Sequence, residues 1–149
     1  MKKIAIFCLA IVLLLPLLAA GCASGKEASP TPTPSTGTVE ITLDEFAAQA
    51  NMNKFVETTY PGTVTVRLGA NHTTGYVWEV TEIVHPEVIL EASSDYEEPT
   101  TGLVGAGGTE VWVFNTTDTG LAIIRMSYSQ PWAGGDKDIY TVTVNVNAR

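Results

Sequence analysis

From residue 38 to the C-terminus, apolar side chains recur at every second position, and that period decides most of what the chain can become. Val39, Ile41 and Leu43 alternate with polar residues, as do Val64, Val66 and Leu68, then Tyr76, Trp78 and Val80, then Val88 and Leu90. Val111 and Val113 share a strand with Trp112 and Phe114, apolar on both sides. Residues 121–128 are almost continuously apolar, and Tyr140, Val142, Val144 and Val146 close the chain. A helix repeats every 3.6 residues; a period of two, one face dry and one wet, belongs to an antiparallel sheet. The exception is 44–53, DEFAAQANMN, which reads as one or two helical turns with Asp44 as N-cap. About seven short strands in one stretch of domain size predict an all-β, immunoglobulin-like antiparallel β-sandwich.

The N-terminal segment obeys a different rule. Lys2 and Lys3 precede an unbroken apolar run over 4–18, followed by Ala19-Ala20-Gly21 and then Cys22. A positive start, a short apolar core and small residues at the cut make a secretory signal over 1–21. The run is short of the roughly 20 residues that a helix needs to cross a bilayer. What precedes Cys22 resembles a prokaryotic lipobox, with Ala19 where leucine is usual, so Cys22 is the expected lipidation site. The chain is then held on the outer face of a membrane by lipid. Cys8 leaves with the signal, so the mature domain has no disulfide and its core must hold the fold alone. Residues 22–37 form a spacer: 24–37 reads SGKEASPTPTPSTG, too polar to build a core and extended by its alternating prolines to roughly 40 Å.

Composition removes several functions. Two His and two Cys leave too few ligands for a Cys/His zinc site, so no metal and no cofactor is expected. With 8 basic against 16 acidic residues, nucleic acid is not an expected partner. Cleavage after residue 21 removes two lysines and no acid, which makes the mature chain more acidic and leaves anchoring to the acyl chains. Neither His72 nor His85 sits in a nucleophile motif, and the chain does not read as an enzyme.

Three connections carry unusual chemistry: Asn71-His72-Thr73-Thr74-Gly75-Tyr76, the long 93–109 stretch ending GLVGAGGT, and Tyr128-Ser129-Gln130-Pro131-Trp132-Ala133-Gly134-Gly135. Each alone is ordinary turn material. In a seven-strand sandwich they are alternate connections and emerge at one end. Together and in this order, NHTTGYVW, GLVGAGGTEVW and YSQPW resemble the three loop motifs of the chagasin family of cysteine-protease inhibitors, over essentially all of 38–149. Two positions depart from the family pattern: His72 stands for proline and Gln130 for arginine.

The resemblance implies a monomeric inhibitor domain over 38–149 that occludes the cleft of a papain-like cysteine protease reversibly. The first loop, with Asn71 at its base, would enter over the catalytic pair through Thr73, Thr74, Gly75 and Tyr76. The second would line the unprimed side with extended backbone at Leu103, Val104 and Gly105, supported by Gly107 and Gly108. The third would bring Gln130, Pro131 and Trp132 to the primed side. His72 gives up the stiffening of a proline and brings a group that titrates near neutrality, so binding is expected to change between about pH 5 and 7.5. Gln130 loses a charge, and weaker binding is expected. Asp95, Glu97 and Glu98, and Asp136 with Asp138, read as solvated loop acids. Trp78 reads as core and Trp132 as exposed. A second reading stays open at this point: a binding module that stacks Tyr76 and Trp132 on sugar.

Overall fold

The computed structural model describes residues 33–101, 103 and 105–149. The leader, Cys22, most of the spacer, Gly102 and Val104 lie outside the described residues. Among them eight strands run in chain order: β1 Ser35–Ile41, β2 Asn51–Thr58, β3 Gly62–Ala70, β4 Val77–Val84, β5 Ile89–Glu97, β6 Gly108–Thr116, β7 Gly120–Ser129 and β8 Tyr140–Ala148. They form two four-stranded sheets, β1-β3-β6-β5 and β2-β8-β7-β4, packed as the expected all-β sandwich. The first strand, β1, begins at Ser35, and the compact unit that contains the sandwich spans Thr31–Arg149.

The apolar alternation becomes the core. Val39, Ile41, Val64, Val66, Leu68, Trp112 and Phe114 from one sheet face Trp78, Ile124, Met126, Val142, Val144 and Val146 from the other, all buried. Val111 and Val113 are half-buried on the outer face of β6, so the strand that looked apolar on both sides keeps only one face in the core.

Four local expectations change, each for a visible reason. There is an eighth strand, β2, because its inward parity reads Met52, Lys54, Val56, Thr58 and hides the period behind two polar residues. Not all pairs are antiparallel: β1 runs parallel to β3, and β2 parallel to β8. This follows from the path of the chain, which leaves the first sheet after β1, lays β2 on the second, and returns as β3. The short helix α1, Leu43–Ala48, takes Thr42 as its N-cap, not Asp44. Glu45 N–H donates to Thr42 Oγ1 at 3.2 Å and Thr42 N–H to the Glu45 carboxylate at 2.7 Å, a reciprocal capping box. Those bonds hold the Glu45 carboxyl below its ordinary range. Leu43 therefore belongs to the helix and ends the β1 alternation. Finally, β5 runs on to Glu97 and turns Ile89 inward, leaving Leu90 exposed. Residues 93–97 are thus strand, and the connection to β6 is only 98–107.

Candidate functional site

The ends of β3, β5 and β7 lie together, and the three singled-out loops leave from that one end. The first is pinned at its root, where Asn71 N–H donates to the buried Tyr128 hydroxyl at 2.7 Å. Residues His72–Thr74 then make a single 3₁₀ turn. The Asn71 side chain caps it: Oδ1 accepts Thr73 N–H at 3.2 Å and the Thr73 hydroxyl at 2.6 Å. Thr74 donates both its amide (3.1 Å) and its hydroxyl (2.6 Å) to the Asn71 carbonyl. Gly75, at φ +80°, closes the turn in the left-handed region that favours glycine. Thr73 and Thr74 stand exposed at the tip.

Both neighbours lean on this turn. From the second loop, the Gly105 carbonyl accepts Asn71 Nδ2–H at 2.9 Å. From the third, Gln130 Nε2 donates to the Thr74 carbonyl at 3.3 Å. Tyr76 donates its hydroxyl to Asp136 at 2.5 Å, which raises the phenol above its ordinary range. Its ring stacks on Tyr128 with centroids 5.4 Å apart. Trp132 is 50% exposed and its ring lies over Gly75: a Cβ there would sit 2.4 Å from Cη2 of the indole. The third loop is braced from within. Gln130 N–H donates to the Asp136 carbonyl at 2.8 Å, Asp136 N–H to Gln130 Oε1 at 3.2 Å, and Lys137 Nζ to the Gln130 carbonyl. Pro131 is exposed beside Trp132.

The second loop differs in detail from the extended segment expected. Ala106 N–H donates back to the Leu103 carbonyl at 3.2 Å and Gly105 takes φ +82°, so the tip turns. Leu103 is 70% exposed. At its base Gly107 packs beside Leu43 and Ala70, and Gly108 donates to the Tyr96 hydroxyl at 3.0 Å. A Cβ on Gly108 would lie 2.2 Å from the Glu97 carbonyl, so only glycine fits.

Several contributors escaped the sequence reading. Glu97 is not a free acid but the partner of Arg67, which holds its carboxyl below the usual range. Asp136 joins the third loop to the first. His72 does not stand free in the wedge; it turns back to Glu110. Glu110 had a detectable signal, since 110, 112, 114 and 116 share one parity on β6 and the other three face the core. Asp136 and Lys137 had none, because their partners are set by the fold of the loop.

Against known proteins, a profile of the chagasin family peptidase inhibitors, I42, matches residues 61–146. Chagasin from Trypanosoma cruzi is 31% identical over 88 residues, spanning 57% of this chain and 80% of that protein. Among solved structures, the fold is similar to the cysteine protease inhibitor EhICP2 from Entamoeba histolytica (TM-score 0.58, 15% identity, 80% of this chain and all of that one). It is also similar to PbICP-C, solved in complex with falcipain-2 (TM-score 0.50, 17% identity, 77% of this chain and 99% of that one).

Proposed function

The chain belongs to the chagasin family of peptidase inhibitors, it is a cysteine-protease inhibitor and not an enzyme, and we propose that it stoppers the cleft of a papain-like protease with these three loops. One observation carries the assignment: the 71–76 turn is held between its neighbours, by Asn71 to Gly105 on one side and by Trp132 on Gly75 on the other. A rigid sandwich that holds three loops in register avoids most of the ordering cost that weakens flexible binders. Thr73 and Thr74 then serve as the central wedge. Leu103 and Gly105 flank it on one side; Pro131 and Trp132 flank it on the other.

Titration of papain with the 31–149 unit should give one-to-one inhibition that competes with substrate. Trp132→Ala should weaken it by about thirtyfold, the usual scale for an aromatic anchor worth about 2 kcal/mol. A sugar-binding module would leave papain untouched.

The lipid anchor on Cys22, export and the outer membrane face belong to the same proposal, supported by the 1–22 sequence. In the fold, Ser35 pairs with Gly62 at the start of β3, so β1 begins at the end of the sandwich opposite the loops. Expressed in a bacterium, the full chain should fractionate with membranes and Cys22→Ser should not. Equal membrane retention of both would remove the anchor.

A further inference from the structure

We propose that Glu110 is the positioning residue of the first loop, acting through His72 and the Trp78 amide. The inference rests on the inhibitor reading. The inward row of β6 reads Glu110, Trp112, Phe114, Thr116, so an acid takes the last core-facing place beneath the loops. Glu110 is 7% exposed. A carboxylate that far from water persists only when hydrogen-bonded. One oxygen accepts both the Trp78 N–H at 3.1 Å and His72 Nε2–H at 2.8 Å. The first bond holds the start of β4, where the first loop ends. The second holds the residue that opens its 3₁₀ turn. One buried group thus fixes both sides of the wedge, and the loop keeps its shape without proline at 72.

The imidazole is held on its face as well. It stacks on Tyr96 with centroids 3.8 Å apart and planes 19° from parallel. Tyr96 in turn accepts the Gly108 N–H, which ties the same cluster to the base of the second loop. The groups around the pair are Asp95 and Tyr96 of β5 and Tyr128 of β7; Arg67 of β3 is committed to Glu97 and Glu40. The ring is thus held by an edge bond to Glu110 and a face contact with Tyr96, which together fix the residue that opens the turn.

The test is the papain inhibition constant of the 31–149 unit for wild type, Glu110→Gln, His72→Gln and the double variant. Each single change should weaken inhibition about tenfold. The double variant should be no worse than either single, because both remove one interaction. Additive losses would overturn the proposal. Should Glu110→Gln fail to fold, His72→Gln on the exposed turn carries the comparison alone. Amide hydrogen exchange of Thr74 and Gly75, whose N–H groups close the turn, separates this idea from the inhibitor reading. Faster exchange in His72→Gln than in wild type is expected whether or not papain binds; identical exchange would refute the positioning role.

Discussion

Gly75→Ala should weaken inhibition of papain by about thirtyfold or more while the domain stays folded. It carries two costs, one to folding and one to binding. At φ +80° an L side chain pays about 1–2 kcal/mol of left-handed strain. Its Cβ would also lie 2.4 Å from Cη2 of Trp132, closer than real Cβ atoms come, and 3.0 Å from Cζ3, so the indole must leave its seat. Displacing an aromatic anchor costs about 2 kcal/mol or more of binding. The strain is a cost to folding; the displaced indole is the cost to binding, a factor of about thirty or more. Gly134 provides the control. It shares φ +80° but has nothing within 4 Å of its would-be Cβ, so Gly134→Ala pays strain without moving Trp132. Inhibition constants and melting curves of both variants decide the matter: similar losses of stability, with only Gly75→Ala losing inhibition. Equal losses of inhibition would mean that the seat of Trp132 is not what shapes the edge.

The same residues show what can be read without coordinates. Alternation exposed the strands whose inward positions are apolar without interruption, such as Val64, Val66 and Leu68 on β3. It failed on β2, where Lys54 and Thr58 occupy inward places, and on most of β5, an edge strand with nearly every side chain in solvent. An edge strand needs no apolar face, so 93–97 resembles loop until β6 is seen beside it. The loops themselves were legible as sequence because turn chemistry is local: Asn71 as cap and Gly75 as the left-handed residue are fixed within five positions. What joins one loop to another is not local. Tyr76 meets Asp136 across 60 residues and Asn71 meets Gly105 across 34, distances that only strand register converts into contact. Glu110 lies between these cases. Its parity on β6 was written in the chain; its partners Trp78 and His72 were not.

The edge is only as stiff as what lies under it, and that gives the largest expected loss of stability, at Phe46→Ala. Phe46 is the one buried residue of α1, at 0% exposure. Its ring lies 4.9 Å from Trp78 and 5.3 Å from Tyr140, and Tyr128 lies 5.1 Å from Trp78, so four aromatics from one helix and three strands fill the top of the core. Tyr128 is the residue whose hydroxyl receives Asn71 N–H at the root of the first loop. Truncating a buried phenylalanine removes about 3–5 kcal/mol, since the cavity it leaves closes only in part. Domain stabilities run about 5–15 kcal/mol in total. The denaturant midpoint should therefore fall by about a fifth or more with the slope unchanged. Phe55→Ala is the matched comparison, because Phe55 is 80% exposed and its loss should stay within about 0.5 kcal/mol. Phe46→Ala should also loosen the first loop, measured as faster amide exchange at Thr74 and Gly75 under conditions where the variant is still folded. A large loss of stability with unchanged exchange at those amides would show that the loop is held by its own cap and neighbours, and that the aromatic floor supports the sandwich without stiffening the edge above it.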